Sequence, residues 1–164
     1  MIDYAEIRKI IVDLLKAHVG VEVVLANQTV RKPEYPYISF AVTSPMIRTG
    51  GTYGRYSDGI DRKPVTQVWS FTVQSQSSDE AQTLAQKAFD FFDRFYDVLE
   101  EHNIVVVRVG DITNRDNFLS VEYEYRCGFD VTFGLMNEID RSLLNEGEII
   151  SADINEITIE RTEQ

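Results

Sequence analysis

The sequence predicts an α+β fold, a mainly antiparallel sheet packed against two helices in the order α-β-β-β-α-β-β, with a long loop and a C-terminal arm. Three observations predict it. From Ser120 to Leu135 apolar and polar residues alternate without a break, the period of a strand with one buried face. From Ser77 to Leu99 a capping pattern precedes apolar residues at helical spacing. The other apolar runs are short, β-branched and bounded by turn residues, as strands are.

The elements follow in order. Asp3 caps a first helix with Glu6 three residues on, and Ile7, Ile10, Ile11 and Leu14 share one side. Gly20 ends it. Val21–Ala26 is a short strand. Arg31 to Pro36 holds two prolines and is a turn region, because proline cannot serve a central strand. Tyr37–Thr43 is a second strand, with Ile38, Phe40 and Val42 on one face. Residues 44–64 form a long loop or extended hairpin, rich in glycine and bounded by prolines. Val65–Gln74 returns as strand, with Trp69, Phe71 and Val73 on one face.

The long helix then places Ala81, Leu84, Ala85, Ala88, Phe92, Phe95 and Leu99 along one stripe. Ile104–Val109 is a strand and Asp111–Asn117 a turn. The alternating stretch beginning at Ser120 would span roughly 50 Å. Its first half is expected to complete the sheet through Val121, Tyr123 and Tyr125. Its second half is expected to run past the core, with a bend at Gly128 or Gly134. Met136–Glu148 is polar, with one helical turn at 138–144, and the isoleucines from Ile149 to Ile159 suggest an extended arm. Residues 1–135 thus form one domain and residues 136–164 an extension.

Composition narrows the function. The chain is 43% hydrophobic, enough for a core. Its formal net charge is −11, which disfavours tight binding to phosphate backbones. The N-terminal segment is amphipathic and interrupted by charges, so it reads as neither a signal peptide nor a membrane span. The protein is expected to be cytoplasmic when made. Cys127 is the single cysteine and reads as a small buried hydrophobe.

A catalytic constellation is not legible. His18 and His102 stand apart, and neither lies in a metal-binding spacing. No G-x-S-x-G elbow occurs. Gly50 to Gly54 lacks the Gly-Lys-Ser/Thr ending of a phosphate loop. Glu122 and Glu124 share a strand face, and their ordinary reading is a solvated row. Neither catalysis, metal nor cofactor is therefore expected. One local excess of positive charge stands out: Arg48, Arg55 and Arg62 interleave with Tyr53 and Tyr56. That composition suits a protein contact, so a non-catalytic binding module using residues 44–64 is one reading.

A second reading comes from likeness. Ala26-Asn27-Gln28 with Pro33, then Pro36-Tyr37-Ile38, Trp69-Ser70-Phe71, and Tyr123 to Val131 in the order Y-E-Y-R-C-G-F-D-V carry it. Over roughly residues 3–135 the chain resembles the phage neck terminator or tail-completion proteins of tailed phages and prophages. The resemblance implies a non-catalytic virion protein of the neck or tail. It implies a homo-oligomeric ring, commonly hexameric, that terminates the tail tube and joins it to the head–tail connector. DNA would pass through the lumen without tight or sequence-specific binding, and no membrane is involved. On that reading Arg48, Tyr53, Arg55, Tyr56 and Arg62 are candidates for contacts between subunits or rings. Glu122, Glu124, Arg126 and Asp130 are candidates to face the lumen or a neighbour.

Overall fold

The computed structural model describes residues 1–27, 31–50, 55–118 and 123–141. The architecture is α+β: one open sheet with helices on one face. In chain order the elements are α1 (Tyr4–Val19), β1 (Glu22–Leu25), β2 (Tyr37–Arg48), β3 (Arg55–Ser57), β4 (Ile60–Ser75), α2 (Ser78–Arg94), α3 (Tyr96–Glu100), β5 (Val105–Val109), β6 (Thr113–Asn114), β7 (Asn117–Phe118) and β8 (Tyr123–Asp140). The sheet runs β1-β2-β4-β8-β5, with β3 beside β4 and β6 and β7 beside β8. Only β1 and β2 pair in parallel among these described strands.

The helix ends are written in the sequence and form as expected. Asp3 accepts from the Ala5 and Glu6 amides at 3.0 Å. Gly20 closes α1 at φ 79°, a left-handed position that costs glycine little. At α2 the Ser77 hydroxyl accepts from the Glu80 amide. The expected return bond from Glu80 is relayed: Ser75 Oγ donates to Glu80 and accepts from the Ser77 amide.

The core lies between these helices and one face of the sheet. Alternate residues of β2, β4 and β8 supply it, among them Ile38, Phe40, Trp69, Phe71, Phe129, Val131 and Phe133. Ile11, Leu15, Ala85, Ala88 and Phe92 meet them from the helices. Phe92 is fully buried, with ring centroids 4.9 Å from Phe71 and 5.6 Å from Phe133. The small alanines let α2 approach the sheet closely, and the phenylalanines fill the space beside it.

Four expectations change. The helix expected through Leu99 breaks at Phe95, so three helices are present among the described residues. Phe95 leaves the stripe, is 45% exposed and packs on His18 at 5.2 Å. Over 44–64 the extended-hairpin alternative replaces the loop: β2 continues to Arg48, β3 begins at Arg55 and β4 starts at Ile60. Pro45 is tolerated because the β2–β4 register shifts between Ser44 and Ile47, a bulge that releases the ladder at that point.

The other two changes concern β8. Its second half stays in the core instead of running past it: Phe129, Val131, Phe133 and Leu135 all pack there, in unbroken register with β4. Of the first half, Tyr125 joins the sheet as expected, and Val121 lies outside the described residues. No bend occurs at Gly128, which pairs with Thr72 in the continuous ladder. Its glycine serves close approach instead. A Cβ there would lie 2.6 Å from Phe71 O and 2.8 Å from Arg115 Nη1. The helical turn expected at 138–144 is strand as far as Asp140, paired with Ile60. The isoleucine-rich segment beyond Arg141 lies outside the described residues.

Candidate functional site

The functional interest lies on the face of the sheet away from the helices. Parallel pairing of β1 with β2 means the chain must travel back along β1 before β2 can start. Among the described residues between them, Ala26, Asn27, Arg31, Lys32 and Pro33 line a cavity on this second face together with Ser39, Thr72, Gln74 and Arg126. The connection brings Tyr35 onto β8. Tyr35 Oη donates to Glu124 Oε1 at 2.7 Å. Arg126 Nε donates to Glu124 Oε2 at 2.8 Å, and its Nη2 makes a second bond to the same oxygen. Glu124 is only 2% exposed.

Burial and the Glu124 hydrogen bond push the Tyr35 phenol well above its ordinary value, and the Glu124 charge adds to the effect. Tyr37 is raised as well, first by burial and then by the Glu124 charge. A buried carboxylate held by a phenol and a guanidinium has its hydrogen-bonding needs met within the protein.

A second polar cluster sits further along β8. The Arg115 guanidinium crosses the sheet, donating from Nη1 to Ser70 Oγ at 2.7 Å and to Thr72 Oγ1 at 3.2 Å. Its Nη2 pairs with Asp130 at 3.0 Å. Burial pushes the Asp130 carboxyl up, but hydrogen bonds from Ser70 and Arg115 and the Arg115 charge outweigh it and hold the group below its usual range. Arg115 reads in sequence as one turn residue among several, so nothing marked it.

The expected site residues are thus distributed as follows. Glu124 departs from the wet row expected of it, because Tyr35 covers it. Arg126 is half-buried and Asp130 exposed on the same face. Glu122 and Tyr53 lie outside the described residues. Arg55 pairs with Arg62 and Tyr56 with Asp61 in the β3–β4 hairpin. Arg62 is tied down, donating to Glu138 at 2.8 Å and to Ser57 Oγ at 2.9 Å. Arg48 is exposed at the end of β2. The hairpin therefore gathers Arg48, Arg55, Tyr56 and Arg62 at one end of the sheet, while Glu124, Arg126 and Asp130 lie along β8.

Among the described residues no group of three or more histidine, cysteine or acidic side chains is placed to hold a metal ion. No helix among them is long and apolar enough to cross a membrane. Cys127 is buried and free. Burial pushes its thiol up, and the charge of Asp116 adds to this.

The family described as phage neck terminator protein matches residues 5–163. The chain belongs to the phage neck terminator family. The match begins in α1, spans every strand, and takes in the segment after residue 135 as well. Membership makes it a structural protein of the phage neck and assigns it to the virion. No curated protein matches the chain. One solved structure, of a protein without a descriptive name, is 14% identical, with 79% of this chain and 90% of that one covered and a TM-score of 0.38.

Proposed function

We propose that the chain forms a ring of identical copies, a hexamer, that terminates the tail tube and joins it to the head–tail connector. The observation that carries this reading is the family match from residue 5 to residue 163. The physical character of the chain supports it. The sheet is open at β1 and at β5, each with one strand neighbour. Open edges and two-ended surfaces suit heterologous contacts that close into a ring. Arg55, Tyr56 and Arg62 of the β3–β4 hairpin, together with Arg48 at the end of β2 and Tyr53, are the proposed contact between subunits or with the next ring.

DNA passes through the lumen of this ring without tight binding. A net charge of −11 repels a phosphate backbone and keeps it from adhering. Glu122, Arg126 and Asp130 are the proposed lumen- or neighbour-facing positions; Glu124, being covered, is their support. Assembly takes place in the host cytoplasm, with the tail-tube and connector proteins as partners, and the reading requires no catalysis or cofactor.

Light scattering on the full chain, coupled to size-exclusion chromatography, tests the ring. The expected result is a single species near six times the 18.8 kDa chain mass, in the presence of tail-tube protein if not before. A chain that stays monomeric at every concentration, with tube protein present, contradicts it.

A further inference from the structure

Described residues of the β1–β2 connection, with neighbours on the sheet, line an open cavity of about 490 Å³. Among the described residues its lining includes Arg31, Lys32 and Arg126 but no aspartate or glutamate, unusual company in a chain of net charge −11. Glu124 neutralises Arg126. Arg31 and Lys32 are exposed and make no ion pair among the described residues. Gln74, 6% exposed, also lines the cavity; its Nε2 donates to Ser39 Oγ at 2.8 Å while its Oε1 has no partner. Buried polar atoms normally find partners.

The cavity therefore asks for a ligand with two properties. It must carry negative charge for Arg31 and Lys32, and it must offer hydrogen-bond donors to a cavity lined by the Gln74 carboxamide. An acidic peptide has both, its carboxylates for the rim and its backbone N–H groups for the floor. Val24 to Asn27 line the same cavity and belong to or follow the edge strand β1. An extended segment could run beside them.

We infer that this cavity receives the acidic C-terminal segment, residues 142–164, of a second copy of the chain. The segment contains Glu146, Glu148, Asp153, Glu156, Glu160 and Glu163 against Arg161. Extended, it would reach roughly 75 Å. It leaves β8 at the far end of the ladder: Asp140 pairs with Ile60, whereas Arg126 pairs with Gln74. Those points are roughly 45 Å apart along the strand, so docking on its own cavity would consume over half the segment in doubling back. A tail seated on a neighbour is a heterologous contact of the kind that closes rings. The inference rests on the ring reading and names one of its contacts.

A zero-length carbodiimide cross-link tests it, because the reagent joins Lys32 Nζ only to a carboxylate in contact with it. Full-length chains grown in ¹⁴N and ¹⁵N are mixed, assembled, cross-linked and digested. The expected product joins Lys32 of one isotope to an acid in 142–164 of the other. A Lys32 link confined to single-isotope pairs overturns docking on a second copy. An assembled ring with no link between Lys32 and the tail overturns the inference and leaves the ring intact. A monomer by light scattering removes the ring reading, and this contact with it. Arg31→Glu with Lys32→Glu, both at exposed positions, should keep the circular dichroism spectrum and weaken assembly at least tenfold; unchanged assembly also overturns the inference.

Discussion

Tyr35 Oη donates to Glu124 Oε1 at 2.7 Å, and that one bond ties the β1–β2 connection to β8. Both partners lose water on folding, and Glu124 loses nearly all of it. A hydrogen bond to a buried charge contributes more than one between neutral groups. Tyr35→Phe should lower stability by about 1.5–2 kcal/mol. Glu124→Ala should cost about 2–3 kcal/mol, since it also strips Arg126 of its partner. Urea unfolding with an unchanged m-value checks both.

The same pair sets an alkaline limit. The Tyr35 phenol ionises above its ordinary 10.0 in the folded chain, from burial first and the Glu124 bond second. A raised folded value means that its contribution is fully present below pH 10 and is lost as pH rises beyond it. Absorbance at 295 nm should show a phenol that ionises only as the fold is lost, and Tyr35→Phe should remove that late amplitude. Reversible ionisation of Tyr35 near pH 10 in the folded chain would contradict the arrangement.

Asp130 works in the opposite direction. Its carboxyl is held below the ordinary 3.8, with the bonds from Ser70 and Arg115 overcoming the effect of burial. A lowered folded value gives stability that is present above pH 3.8 and fades as pH falls through the folded value. The side chain is 54% exposed, so solvent screens the pair and the effect stays below about 1 kcal/mol. The melting temperature of Asp130→Asn should fall short of the parent at pH 7, and the gap should close as pH falls below 3.8 through the folded value.

Gly128 offers a sharper steric test. An alanine Cβ would stand 2.6 Å from Phe71 O, 2.8 Å from Arg115 Nη1 and 2.9 Å from Thr72 Oγ1. The first contact is backbone in the middle of the β4–β8 ladder and cannot swing aside. Gly128→Ala should destabilise by about 2–3 kcal/mol. Adding Arg115→Ala removes one clash and leaves the backbone one, so it should not restore the loss.

How much of this could be read from the sequence depends on range. Caps at Asp3 and Ser77 are local chemistry and were legible. The faces of β2, β4 and β8 follow from period two and were legible too. Periodicity names two faces but not what covers the second one, so Glu124 read as wet until Tyr35 arrived from 89 residues away. The same limit hid that the second half of β8 stays in the core, since the pattern is uniform and only pairing with β4 shows how far the core runs. Phe95 kept the helical period while the helix broke around it. Arg48 and Arg62 were visible as a local cluster. Arg31, Lys32 and Arg126 were not, because only the parallel β1–β2 pairing brings them to one cavity.

The central claim is that this chain ends a tube. Purified tail-tube protein polymerises in the presence and absence of the full chain, and electron micrographs record tube lengths and ends. The expected result is a ring-shaped density at one end only and a shorter, narrower length distribution as the chain is added. Tubes of unchanged length with bare ends, or chain bound uniformly along their sides, would contradict it.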